Sequence, residues 1–344
     1  MKIAALGLLF FSITLSLFLW WAVGKSLPKH SNLPVSHYPE FAIASEKGEI
    51  KIATYNIAYG QGIKLGHTDW RDKAYTEKKL EELSRVVQDL DADVLFLQEV
   101  DLDSNRSHFI NEAEVLVRAG KFPYSACAIV WDETYVPFPF WPPEFHLGQV
   151  VTANCILSKY PMKNHERIIF DKPKSNPFWY NWGYLDRGAQ KIEIQVGSIT
   201  LTAVNLHLEA FEEEAREKQA RIVGNWVKDI KKSLVVGGDF NAVPSNASKK
   251  NGFVDETNIS YDDDHTIDYL MESIPNLAEA ISPSLCDTSE HLCFTFPAND
   301  ATRRLDYLFA TNGVKFIDGR VVAEAGGASD HLPVLSTVTL KHVF

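Results

Sequence analysis

The sequence predicts an α/β protein: two sheets of mixed strands packed face to face, flanked by helices. Three observations carry that expectation. The chain alternates strand, helix and strand from residue 49, then continues as a run of strands bounded by turn residues. Two segments carry apolar side chains at helical spacing. At 344 residues, 45% hydrophobic and 23% charged, the chain has the composition of a globular protein able to bury a large core.

Element by element, strands are read at Ile50 to Ile57 and Asp93 to Gln98, with a helix between them over Lys73 to Leu90. Leu80, Leu83, Val87 and Leu90 line one stripe of that helix. Ala215, Ile222, Trp226 and Ile230 do the same in a second helix, Glu212 to Lys231. Further strands are read at Gln149 to Ser158, Gln190 to Val196, Thr200 to Leu208 and Ser233 to Gly237, then at Arg304 to Ala310, Val314 to Ala323 and Pro333 to Leu340. Trp131 to His146, with four prolines, reads as a loop that either packs on its own domain or meets lipid or an apolar substrate.

The N-terminus differs in composition. Ile3 to Val23 is uncharged and apolar, preceded by Lys2 and followed by Lys25 and Lys29. Such a run reaches across a bilayer core of about 30 Å. It ends in Leu19, Trp20 and Trp21 without a clear small-x-small cleavage site, so residues 1–24 are expected to form a signal anchor or transmembrane helix rather than a cleaved signal. Residues 25–48 read as a linker and 49–344 as one folded domain, exported and membrane-anchored, or secreted or periplasmic if the segment is cleaved. A monomer is expected. Cys127, Cys155, Cys286 and Cys293 lack zinc-site spacing. The last two are close enough to pair in an oxidising compartment, or to remain free thiols. The net charge of −11 argues against a protein that grips long nucleic acid through many phosphates.

Polar clusters punctuate the strand ends: Thr54 to Ile57, Leu97 to Asp101, Asn205 to Leu208, Gly237 to Asn241, Arg304 to Tyr307 and Ser329 to His331. A carboxylate at a strand end is commonly a turn former or cap, so one cluster alone carries little. Six in order carry much more. Oxygen donors of this kind suit a hard Mg²⁺ or Mn²⁺ ion, and cleaving a phosphate ester requires charge neutralisation and an activated water. No phosphate-binding GxxxxGK loop, HExxH helix or GxSxG elbow is present. The acidic run Asp262 to Asp264 lacks the spacing of a calcium loop.

The segments TYNI, LQEVD, NLHLEAF, GGDFN, RLDYLF and SDHLPV together resemble the endonuclease/exonuclease/phosphatase superfamily, whose members include DNase I-like nucleases, apurinic endonucleases, inositol polyphosphate 5-phosphatases and neutral sphingomyelinases. TANCILSKYPM resembles a family strand, with Cys155 where a small residue is more usual. The resemblance covers residues 49 to 341 and implies a four-layer DNase I-like fold. It further implies metal ligation by Glu99 with Asn56, Asp330 completing the shell. Asp239 would orient the attacking water and Asn241 contact the phosphoryl oxygens. His331 would be held by Asp306, and His207 would serve as a second catalytic histidine with Asn205 beside it. Arg187 is a candidate phosphate contact, or a surface salt bridge with Asp186.

Three substrate classes compete. The apolar N-terminus, the aromatic loop and the acidic charge favour a phospholipid or sphingomyelin-type phosphodiester. A nuclease has family precedent but no visible basic stripe. A phosphatase of inositol or sugar phosphates would need basic residues near the site, for which Lys172, Lys174, Lys249 and Lys250 are the candidates. A non-catalytic binding module would have lost a site residue, and none is missing.

Overall fold

The computed structural model describes residues 2–22, 27–63, 72–181, 183–231, 233–311 and 313–341. In chain order its elements are α1 (Lys2–Ala22), β1 (His30–Leu33), β2 (Ser36–His37), β3 (Glu49–Asn56), α2 (Lys73–Leu90), β4 (Val94–Asp101), α3 (Glu112–Gly120), β5 (Tyr124–Val136), β6 (Gly148–Ser158), β7 (Met162–Ile169), α4 (Phe178–Asn181), β8 (Gly188–Val196), β9 (Ile199–His207), α5 (Glu213–Val227), β10 (Leu234–Asp239), α6 (Thr266–Ser273), β11 (Ala278–Glu279), α7 (Pro283–Thr288), β12 (Asp306–Ala310), β13 (Val314–Phe316), β14 (Arg320–Val321) and β15 (Val334–Leu340).

The strands form two mixed sheets, ordered β1-β7-β8-β9-β10-β12-β11 and β13-β15-β3-β4-β6-β5-β2, with β14 beside β15. Alternation along each strand sends successive side chains to opposite faces. Ile50 and Ile52 of β3 therefore enter the core between the sheets, meeting Ile192, Leu201 and Val235. Ala53 and Tyr55 of the same strand pack outward beneath Leu80 and Leu83 of α2 and Leu116 of α3. On the other sheet Val204 and Val236 pack under Val223 of α5 and Leu270 of α6. The result is a helix–sheet–sheet–helix sandwich.

Both amphipathic helices and the expected strands are present, except that Val314 to Ala323 is broken into the short strands β13 and β14, each paired with β15. Three further differences concern the linker, the proline-rich loop and the cysteines. The segment expected to be a linker is folded onto the domain: β1 pairs with β7 on one sheet and β2 with β5 on the other. The proline-rich loop begins at Pro137, because β5 runs on to Val136, and Trp131 and Val136 are buried against Val150. Only its tip is open, with Phe138, Phe140 and Trp141 exposed. Both cysteine pairs form disulfides, Cys127–Cys155 across β5 and β6 and Cys286–Cys293.

The transmembrane expectation is not supported. Among the described residues no helix is long and apolar enough to cross a membrane. Val23 and Lys25 lie outside them, as do the side chains of residues 2–5, so the α1 side chains described are those of residues 6–22. Those side chains are nonetheless apolar except at Ser12, Thr14 and Ser16, and exposed on nearly every face. At the helix end Ala22 is buried, and the Phe18 and Trp21 rings lie 5.9 and 6.1 Å from Tyr135.

Candidate active site

Strand register gathers the polar clusters. Asp239, the last residue of β10, is opposite His207 on parallel β9 and Asp306 on antiparallel β12. Gly238 makes this close approach possible: its φ is +141°, and a side chain there would collide with the Leu206 carbonyl. Asn56 closes β3 on the facing sheet and donates from Nδ2 to Asp239 Oδ2 at 2.9 Å, so the two sheets meet at this end. On β4 the pairing with β6 slips between Leu97 and Val100, where Glu99 has φ 55°. This bulge turns Glu99 toward the cleft, 3.8 Å from Arg187 Nη1 and 3.9 Å from His207 Nε2.

The site is electrostatically dense. Burial alone would raise the Asp239 carboxyl, but His331 and His207, the latter 3.2 Å away, hold it well below the usual carboxylate range. His331 Nδ1 is 2.8 Å from Asp306 Oδ2. Burial opposes its charge, yet Asp306 and Asp239 overcome that and push the imidazole up to about 10. Burial chiefly, helped by Asp239, raises Asp306 in spite of His331. His207 moves the other way, lowered by burial and by the Arg187 guanidinium, which lies 2.9 Å from its Nδ1. One histidine is thus held cationic and the other neutral. Asn241, in a left-handed conformation, donates its backbone N–H to Asp239 Oδ1 and its side-chain amide to the Leu208 carbonyl.

Glu99, Arg187, His207, Asp239, Asn241, Asp330 and His331 all line one cleft of about 560 Å³. Asn56 and Asp306 stand just behind it through their bonds to Asp239 and His331. Arg187 is buried at the centre and is not a surface partner of Asp186, which pairs with Lys172. Asn205 is a correction. It is fully buried between the sheets, where it donates to the Leu97 and Cys155 carbonyls at 2.9 Å each and accepts from Gln98 Nε2 at 2.6 Å. It clamps the layers and does not face the cleft. Asn205→Ala is expected to lower unfolding free energy by about 2 to 5 kcal/mol, because several buried groups lose their partner. Denaturant unfolding reads this out; unchanged stability with a raised KM would return Asn205 to substrate binding.

Oxygen donors for a divalent ion are present. Asp239, Asp306 and His331 bring one donor atom each within 4.8 Å of one another, a cluster able to hold a metal, and Asp306 Oδ1 is buried without a hydrogen bond. His331 Nδ1, however, is already engaged by Asp306. Glu99 and Asp330 bring further carboxylate oxygens to the same cleft. Sequence reasoning missed several lining residues, among them Tyr59, Arg106, Glu133 and Tyr184. Of these only Arg106 left a trace, following Asp101 by five positions.

A model of the family described as Endonuclease/Exonuclease/phosphatase matches residues 53–331. By sequence, no curated protein matches. Among solved structures the chain is similar to an endonuclease/exonuclease/phosphatase from Beutenbergia cavernae (TM-score 0.58, 20% identity, 86% of this chain and 72% of that one). It is also similar to a mannosyl-6-phosphatase from Bacteroides thetaiotaomicron (TM-score 0.56, 15% identity, 85% of this chain and all of that one). A humanized TDP2 from D. rerio gives a TM-score of 0.54 at 15% identity, over 85% of this chain and 100% of the other. With that match over most of its length, and with the fold in agreement, the chain belongs to the endonuclease/exonuclease/phosphatase family of metal-dependent phosphoric-ester hydrolases.

Proposed function

We propose that the protein is a phosphodiesterase of phospholipid or sphingomyelin-type substrates, working at a membrane surface with Mg²⁺ or Mn²⁺. The observation that carries the lipid reading is the make-up of the cleft. Its floor is polar, whereas its walls are Phe18, Tyr135, Phe138, Phe140, Trp179 and Phe211. Next in sequence to the lining residues Phe140 and Trp179, Trp141 is 80% and Phe178 87% exposed. Exposed aromatics gathered at a site entrance favour an apolar partner. The apolar α1, which joins that wall through Phe18 and Leu19, supports lipid contact. Two disulfides, with no free cysteine among the described residues, support an exported domain.

In this reading Glu99 and Asp330, with Asn56 behind them, would hold the divalent ion, which would neutralise phosphoryl charge and acidify water. Asp239, kept ionised, orients the attacking water. Cationic His331, steadied by Asp306, stabilises the leaving oxygen. Neutral His207, with Asn241 and Arg187, contacts the phosphoryl oxygens.

The full chain should be assayed with Mg²⁺ or Mn²⁺ on sphingomyelin and phospholipid vesicles, DNA, RNA, inositol phosphates and sugar phosphates. Turnover confined to nucleic acid or sugar phosphates would sink the lipid reading. A nuclease remains the second reading, since a D. rerio TDP2 with a TM-score of 0.54 was solved with a single-strand DNA product. The net charge of −11 weighs against it. Changing Phe138, Phe140 and Trp141 together to serine is expected to cut activity on vesicles roughly 10- to 100-fold through lost apolar contact. A soluble chromogenic phosphodiester should be hydrolysed nearly as before. Equal losses on both would mark the tip as structural.

A further inference from the structure

Beside Glu99 lies a buried group of charges that the proposed chemistry does not use. Asp101, two residues along β4, is fully buried and accepts from Arg106 Nε at 2.8 Å and Nη2 at 2.9 Å. Thr152 completes the arrangement, donating to Asp101 Oδ1 at 2.6 Å and accepting from Arg106 Nη2 at 3.0 Å. The guanidinium carbon lies over the Tyr59 ring, 3.4 Å from its centroid, and 5.7 Å from that of Trp131. Fully buried Glu112 accepts the Asp101 backbone N–H at 2.8 Å.

This side-on pairing leaves one guanidinium nitrogen over. Nη1 makes no hydrogen bond among the described residues, although Arg106 is only 5% exposed and lines the cleft. Stability is a poor explanation for the arrangement. A buried Arg–Asp pair gains little over well-packed apolar side chains, because both ions must leave water. The platform beneath it is strained as well: Ala58 and Tyr59 are left-handed, at φ 49° and 54°, and the Gly60 position has no room for a Cβ beside Glu112 Oε1. Backbone strain of this kind persists where surrounding structure enforces it, commonly at sites of function. Both Tyr59 and Glu99 line the same cleft as Arg106.

We propose that Arg106 is a substrate-binding residue whose free Nη1 edge takes a non-bridging oxygen of the substrate phosphate, on the Tyr59 side of Glu99. Asp101 and Thr152 fix the plane of the guanidinium, and Tyr59 fixes its height. A rigid planar donor of this kind selects an oxyanion by position as well as by charge. The assignment depends on the phosphoester chemistry of the family and not on the lipid reading. Absence of lipid hydrolysis would leave it standing.

The test compares the full chain with Arg106→Lys and Thr152→Val, using a soluble chromogenic phosphodiester, inhibition by inorganic phosphate and the thermal unfolding midpoint. Arg106→Lys keeps a cation beside Asp101 but removes the Nη1 edge. It should raise KM and the inhibition constant of phosphate by about 10- to 100-fold, with kcat affected much less. Thr152→Val only loosens the guanidinium and should raise both constants by roughly 3- to 10-fold, the scale of one net hydrogen bond. It also serves where the lysine variant does not fold. A lower midpoint with an unchanged phosphate inhibition constant in the folded variants would make Arg106 purely structural and overturn the proposal.

Discussion

Exchanging Glu99 for glutamine is expected to remove metal-stimulated turnover, by on the order of 10³-fold or more. The substitution keeps the volume of the side chain at the β4 bulge and deletes its charge. Charge stabilisation by a bound divalent ion is worth several kcal/mol, and each 1.36 kcal/mol is tenfold in rate. The loss has a second cause. Glu99 is 3.8 Å from Arg187 and 3.9 Å from His207, so without it the neighbouring guanidinium repels an incoming cation less compensated than before. Turnover as a function of Mg²⁺ and Mn²⁺ concentration measures the effect on the reaction, and calorimetric titration with the metal alone measures binding. Asp306→Asn is the control. If it abolishes metal binding while Glu99→Gln leaves binding intact, the ion belongs to the Asp239–Asp306–His331 cluster and the assignment of Glu99 is wrong.

The site was legible to the extent that its residues end strands. Asn56, His207 and Asp239 each close a strand whose apolar alternation stops at them, and the polar residue at the stop is what a single sequence displays. Asn205 shows the limit. It shares a face of β9 with His207, two residues away. One step inward that face lies between the sheets, so a side chain that looks like a neighbour of the site becomes a buried clamp. Depth along a strand depends on the facing sheet, which no local pattern encodes. The same reasoning covers β1 and β2, four and two residues long and largely polar, whose only structural signal is the partner edge of a distant strand. In β5 the prolines that follow Val136 obscured the strand before them. Arg106 escaped notice because its pairing with Asp101 needs the short helical turn over Asn105–Ser107 to bring the two together.

His331→Ala is expected to cost about 10²- to 10⁴-fold in kcat, the range for a positioned acid–base group. Its pH dependence distinguishes a cationic role from mere packing. Asp306 and Asp239 overcome the burial that disfavours a charged His331, and raise it from the ordinary 6.5 to about 10. A raised folded-state pKa contributes stability that is fully present below the unfolded value and is lost as pH rises through the folded one. The window for His331 therefore runs from about 6.5 up to about 10, and both stability and any rate that needs the imidazolium should persist through neutral pH and fall on the alkaline side. Asp306→Asn removes the partner at 2.8 Å while leaving Asp239, 3.7 Å from Nε2. The alkaline limb of kcat should then move down toward neutrality, with part of the rate recovered at lower pH. His331→Ala, having nothing to protonate, should lose that limb entirely. An alkaline limb that stays in place in Asp306→Asn would assign it to another group, and an undiminished rate in His331→Ala would remove the imidazolium from the chemistry. Asp239→Asn separates the two halves of the site: it leaves the Asp306–His331 pair intact, so a full rate there would reassign the orientation of the attacking water.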